Sequence, residues 1–187
     1  MKGTSSAVAV VPEASAPPQT RKQRLAALYT EHSDGVWRLL RRLGNDAARA
    51  DDVCQQVFLV AMDRLDDILP GKERAFLAGA AIRISRRQFG LGQREAWADE
   101  ALDVSDPRMG PDEVTELRRK RALLERLLSQ LSEDLRVAFV LHELEGYTQR
   151  EIGELLQIPD GTAASRLRRA RESFDALLAQ HLEERAQ

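Results

Sequence analysis

From Leu25 to Ile84, and again from Leu117 to Leu178, apolar residues recur at intervals of three and four, and no segment alternates as a strand would. That spacing restricts the chain to helices and makes an all-α fold the expectation. In the first run, Leu25, Leu28, Tyr29, His32, Val36, Leu39, Leu40 and Leu43 repeat at helical intervals until Gly44 closes the run. Ser33-Asp34-Gly35 is the one place where this run could divide in two. A second helix is predicted from about Ala47 to Leu65, with Val53, Val57, Ala61 and Leu65 on one stripe and Cys54 and Phe58 beside it. Pro70-Gly71 marks a turn. A third helix follows from about Arg74, turning Phe76, Leu77, Ala80, Ala81 and Ile84 inward and ending near Gly90 and Gly92.

Composition divides the chain. Residues 1–20 mix Ala, Ser, Val and Pro without period and read as a disordered tail. Between Glu95 and Glu116 the acids Glu95, Asp99, Glu100, Asp103, Asp106, Asp112, Glu113 and Glu116 face a single cation, Arg108, and Pro107 and Pro111 interrupt any helix. The expected organisation is two small helical domains, 21–94 and 117–187, joined by an acidic linker, 95–116. The total of 187 residues suits two such domains.

Several function classes are excluded by what the chain lacks. One cysteine, Cys54, permits neither an intrachain disulfide nor a CxxC metal pair. His32, His142 and His181 have no ligand spacing, Asp51-Asp52 has no metal-binding companion motif, and no glycine loop is built to cradle phosphate. No catalytic residue, metal or cofactor is expected. The apolar run Ala7–Val11 is too short for a signal-peptide core, and nothing approaches the ~20 apolar residues of a membrane span. The expectation is a soluble cytoplasmic protein without membrane insertion.

The second half carries the chemistry. Leu117, Leu124, Leu128 and Leu131 form a stripe, and Ser132 is the expected N-cap of a helix bearing Leu135, Ala138, Phe139 and Leu141 that stops at Gly146. Thr148 followed three residues later by Glu151 is a capping box. It opens a short helix with Ile152, Leu155 and Leu156. Ile158-Pro159-Asp160-Gly161 turns the chain, and a last helix runs from about Thr162 to about Glu183. A short capped helix, a tight turn and an arginine-rich helix outline a helix-turn-helix, whose second helix enters the DNA major groove.

The faces of the last helix separate by angle. Ala163, Leu167, Ala170, Phe174, Leu177 and Leu178 share the side that must pack inward. Thr162, Ser165, Arg166 and Arg169 share another side, short-polar at its start and cationic further on. Short donors approach base edges closely, while Arg pairs with guanine or phosphate. The competing reading is a solvated face on which Arg166, Arg168, Arg169 and Arg171 pair with Glu172 and its neighbours. The capping box, turn and inward stripe ahead of the helix weigh toward DNA.

Leu131–Leu178 resembles the promoter-binding domain of bacterial sigma factors of the extracytoplasmic-function (ECF) type. The resemblance rests on Leu131-Ser132-Glu133, Phe139 through Thr148, Glu151-Ile152-Gly153-Glu154-Leu155-Leu156, Pro159-Asp160-Gly161-Thr162 and Ser165 through Arg171. In that family the domain reads the −35 promoter element. The implied DNA-binding set is Thr148, Arg150, Thr162, Ala164, Ser165, Arg166, Arg168 and Arg169, with Ser165, Arg168 and Arg169 nearest the bases. Ala164 departs from the family pattern, which usually has Lys or Arg there.

The first half carries an independent match. Asp51 through Leu59 is similar to the family's helix that docks on the coiled-coil clamp of RNA polymerase, which implies Asp52, Gln55, Gln56 and Leu59 as polymerase-binding residues. Gln56 stands where an acid is usual. The third helix matches less closely, with Phe76-Leu77 and Arg83 in place of the family's Trp-Leu and Asn. By resemblance Arg83, Arg86 and Arg87 contact the −10 element, and the loop Leu69–Glu73, including Lys72, captures a flipped base. The implied partners are core RNA polymerase, promoter DNA and an anti-sigma protein. The acidic linker would thread polymerase near the RNA exit path, or act as a solubilising hinge. The rival reading is a free-standing helix-turn-helix regulator that binds duplex DNA as a dimer.

Overall fold

The structure, a computed structural model, describes residues 20–89 and 110–186. Most of the proposed tail and residues 95–109 of the acidic linker lie outside the described residues. Every regular element among the described residues is helical.

Three helices form the first half: α1 (Arg21–Arg42), α2 (Ala47–Asp63) and α3 (Glu73–Phe89). Thr20, read from sequence as part of the tail, is the N-cap of α1. Its hydroxyl accepts from the Gln23 amide, and the Gln23 side chain accepts from the Thr20 amide at 2.9 Å. α1 is continuous through Ser33-Asp34-Gly35. A mid-helix glycine costs roughly 1 kcal/mol, and burial of Leu28, Val36, Leu39 and Leu40 on the same helix offsets that. Asp46 caps α2 by accepting from the Arg49 amide at 2.8 Å. A single 3-10 turn, Leu65–Asp67, ends that arm. The core joins Leu40, Leu43, Val53, Val57, Leu65, Leu77 and Ile82, all fully buried. One polar relay enters it: Ser85 of α3 donates to Asn45 at 3.1 Å, and Asn45 donates to the Leu40 carbonyl at 2.9 Å. Both side chains are buried and bonded, so the relay fixes the angle of α3 without an orphaned group.

The second half holds α4 (Pro111–Gln130), α5 (Glu133–Phe139), α6 (Gln149–Leu156) and α7 (Asp160–Ala186), with a π-helical turn, Val140–Leu144, directly after α5. Pro111, expected to interrupt a helix, instead begins one. At the first helical position a proline lacks only an amide that has no intrahelical partner, and its fixed φ suits the helix. Ser132 occupies the N-cap of α5 but makes no side-chain capping bond. The Thr148–Glu151 capping box forms in full, with the Glu151 carboxylate accepting from the Thr148 amide at 2.8 Å. Those bonds to Thr148 hold the Glu151 carboxyl below its ordinary pKa.

α7 starts at Asp160, two residues earlier than the periodicity suggests. Gln157, in the left-handed region at φ 55°, closes α6, and the chain turns into α7 within three residues. Gly153 makes this tight. A Cβ there would lie 2.7 Å from an Asp160 carboxylate oxygen and 3.0 Å from the Ile158 carbonyl, so only glycine lets α7 approach. The inward stripe of α7 is as read from sequence at Ala163, Leu167 and Ala170, each at most 1% exposed. Phe174 stacks on Phe139 with ring centroids 4.6 Å apart.

Candidate nucleic-acid and partner interfaces

The first surface lies between α1 and α2. Asp52, Gln55 and Leu59 are exposed, and Gln56 is half-buried. Gln55 and Leu59 line a groove of about 590 Å³ together with Leu25, Tyr29, Phe58 and Met62. Tyr29, Leu59 and Met62 are 55, 56 and 40% exposed, an unusual concentration of large apolar side chains at one place on a surface. The sequence reading put Tyr29 in the helical repeat of the first run. It stands at the rim of the groove, edge-on to Phe58 with centroids 4.8 Å apart. Met62 went unremarked. Both lie one helical turn from a residue that was singled out, and that spacing is the signal available in the sequence.

Cys54 sits just inside this surface. Burial, then Asp51 and Asp34, push its thiol up to about 11, so it packs as a protonated apolar group. Among the described residues no group of three or more His, Cys, Asp or Glu is arranged to hold a metal ion, and no helix is long and apolar enough to cross a membrane.

The second surface is the loop before α3 and the outer face of α3. Leu69 is 66% exposed at the start of a tight turn in which the Lys72 amide donates to the Leu69 carbonyl at 3.0 Å. Lys72, Arg83 and Arg87 are exposed. Arg86 is half-buried and bonded to Glu133 at 3.1 Å and to Asp134 at 3.2 Å, both on α5.

The third surface is the helix-turn-helix, α6 and α7. Thr148 and Arg150 are exposed at the start of α6, where Arg150 pairs with Glu154 at 3.1 Å. Thr162, Ala164 and Ser165 are half-buried along the first turns of α7, and the Ser165 hydroxyl donates back to the Thr162 carbonyl at 3.0 Å. Arg166 reaches Asp134 at 2.7 Å, Arg168 reaches Glu172 at 2.7 Å and Arg171 reaches Glu143 at 2.6 Å. The solvated-face reading therefore holds for Arg168. An exposed pair four residues apart on one helix is worth only about 0.3–0.5 kcal/mol, and a phosphate can displace it. Arg169 is exposed and bonded to no other described residue.

The two halves meet. Glu145, in the connector between the π-helical turn and α6, bridges Arg42 at 2.6 Å and Arg74 at 2.9 Å. The Arg74 guanidinium also donates to the Glu145 carbonyl and lies 4.9 Å over the Tyr147 ring, while the Tyr147 hydroxyl donates to the Arg74 carbonyl at 3.2 Å. Buried Arg136 donates to the Leu43 carbonyl at 3.2 Å. A Cβ at Gly44, whose φ is +106°, would overlap the Arg136 guanidinium. None of these cross-half contacts was read from sequence.

Two helical domains, one carrying an exposed apolar groove and a cationic helix and the other a helix-turn-helix, define the architecture of a DNA-binding protein. The family model described as Sigma-70 region 2 matches residues 28–89, and the one described as Sigma-70, region 4 matches residues 121–174. The chain belongs to the ECF sigma factors. It is 29% identical over 163 residues to the ECF RNA polymerase sigma factor SigE of Mycolicibacterium smegmatis, covering 86% of this chain and 63% of that protein. It is 28% identical over 174 residues to the RNA polymerase sigma-H factor of Pseudomonas aeruginosa, covering 87% and 90%. The fold is similar to that of CnrH, solved in complex with the cytosolic domain of CnrY, with a TM-score of 0.61 at 23% identity over 83% of this chain and 88% of that one. It is also similar to the sigma factor RpoE of Bartonella quintana, solved in complex with the anti-sigma factor NepR, with a TM-score of 0.60 at 20% identity over 84% and 96%.

Proposed function

We propose that the chain acts in the cytoplasm as a non-catalytic initiation subunit, directing core RNA polymerase to a restricted set of promoters. The α1–α2 groove, with Asp52, Gln55, Gln56 and Leu59 on its α2 side, receives the coiled-coil clamp of the polymerase. Leu69, Lys72, Arg83, Arg86 and Arg87 serve the −10 element. α6 and α7 serve the −35 element through Thr148, Arg150, Thr162, Ala164, Ser165, Arg166, Arg168 and Arg169. An anti-sigma protein is a fitting regulator, since the structurally similar sigma factor RpoE was solved bound to the anti-sigma factor NepR. A dimeric regulator would have no use for a region 2 domain.

The observation that carries this reading is Arg169. It stands exposed two turns along the outward face of α7, while the opposite stripe is buried. Arg171 is held on Glu143. A base contact discriminates between sequences, at about 1–3 kcal/mol for a good bidentate pair, whereas a phosphate contact supports all sequences alike. Arg169→Ala should therefore lower initiation from the preferred −35 sequence and flatten preference at one or two positions. Arg171→Ala should scale all promoters by a similar, smaller factor. Initiation by reconstituted polymerase across every single-base −35 variant measures both. If Arg169→Ala keeps the wild-type base preferences and merely scales them down, Arg169 is not a reader.

A further inference from the structure

The α1–α2 groove has a candidate occupant in the same chain. Arg21 donates to the Met62 carbonyl at 2.8 Å and so holds the first turn of α1 against the end of α2. The two helices are antiparallel, and the groove runs from Lys22 to Thr30 along α1 and from Met62 back to Gln55 along α2. Its near end opens within one turn of Thr20, the N-cap at which residues 1–19 join α1. The three valines of residues 1–19 all fall in Ala7-Val8-Ala9-Val10-Val11, an uncharged apolar stretch between Lys2 and Glu13.

The lengths agree. The groove follows α1 for about two turns, on the order of 12 Å, and about four extended residues span that distance. The nine residue steps from Val11 to Thr20 allow up to about 30 Å, enough to turn back along α1. The charges choose a direction. Lys22, at the near end, is exposed and bonded to no other described residue. Asp34 and Asp52 are exposed beyond the far end, where the Ser33 carbonyl lies beside Cys54. A segment laid with Val11 near Lys22 brings Glu13 to a cation and Lys2 toward two carboxylates. The reverse direction sets like charges together.

We propose that Ala7–Val11 lies in the α1–α2 groove of the free chain and that core polymerase displaces it on docking. This rests on the reading that the groove receives the polymerase clamp. Val8 and Val10, which share one face of an extended segment, turn toward the exposed Leu59 and Met62. Because the contact is intramolecular, a weak one suffices: a short connection holds the segment at a local concentration on the order of millimolar. The affinity of the chain for core is then set in part by residues 7–11, which belong to neither matched sigma region.

The test compares the full chain with its double variant Val8→Asp/Val10→Asp, both carrying isotope-labelled methionine methyls. Met62, in the groove, is told from Met1 and Met109 by Met62→Leu. The Met62 methyl resonance should move between parent and variant by the same amount at every chain concentration, with helix content unchanged. Apparent affinity scales with the fraction of chains whose groove is open, so the variant should bind labelled core about three- to tenfold tighter. An unmoved Met62 resonance overturns the proposal. A shift that grows with chain concentration assigns the groove to a second copy and overturns it too. A moved resonance with unchanged or weaker affinity for core overturns the competition, and Leu59→Asp then tells which part failed. If Leu59→Asp weakens docking, the segment leaves the clamp site clear. If it does not, the groove is not the clamp site, and the contact of the segment with the groove stands.

Discussion

Leu59→Asp should weaken association with core RNA polymerase by at least about tenfold and leave the helix content unchanged. Leu59 is 56% exposed at the rim of the α1–α2 groove, so a carboxylate there is solvated in the free chain and costs the fold little. In the complex the same carboxylate would be pressed among Tyr29, Phe58 and Met62 without a partner. Desolvating an unpaired charge in such a place costs several kcal/mol at the centre of an interface, well above the 1.4 kcal/mol that makes a factor of ten. Gln55→Glu, one turn away, should weaken association less, because a glutamate at the groove edge keeps part of its water. Titration of labelled core polymerase with each variant gives the affinities, and circular dichroism checks the fold. Unchanged affinity for Leu59→Asp with native helicity would remove the groove from the docking surface.

Leu167→Ala should destabilise the helix-turn-helix by about 2–5 kcal/mol, the range for a truncated leucine in a packed core. Leu167 is 1% exposed on the inward stripe of α7 and, with Ile152 of α6 at 0%, belongs to the fully buried set of that half. A small helical domain has little stability to lose, so −35 recognition should fail along with the domain. Arg169→Ala, on the opposite face, should change stability by less than about 0.5 kcal/mol. Urea unfolding followed by circular dichroism separates the two. A Leu167→Ala variant as stable as the parent would mean that α7 is not seated on α6 as described.

These two substitutions mark what is legible in the sequence and what is not. The inward stripe of α7 follows from a period of 3.6, and the start of α6 from the Thr148–Glu151 capping box, because both are set by local geometry. Periodicity alone could not rank the edges of a stripe. Tyr29 shares the spacing of Leu25 and Leu28, yet its exposure depends on how far α2 covers α1. Pro111 was misread, and the break that Gly35 left open did not form, for a related reason. Their local penalties are small or absent once the helix is packed on one side, or once the proline sits at its first position. The cross-half contacts were out of reach altogether. Arg86 and Glu133 are 47 residues apart, and Arg136 and the Leu43 carbonyl 93, so no local rule joins them. Their chemistry was visible as charge, but their pairing was not. That is why Arg83, Arg86 and Arg87 read as three equivalent cations, although in the structure Arg86 alone of them pairs with Glu133 and Asp134.

A sigma subunit gives promoter selectivity to core polymerase. The most direct measurement is transcription in vitro from a library of randomised promoters, with core polymerase alone and with the purified chain added. Initiation should appear only with the chain and should select templates sharing two conserved elements near −10 and −35. Arg169→Ala should relax only the upstream element. Initiation no different from core alone, or tight selection of a palindromic duplex by the chain without polymerase, would contradict it.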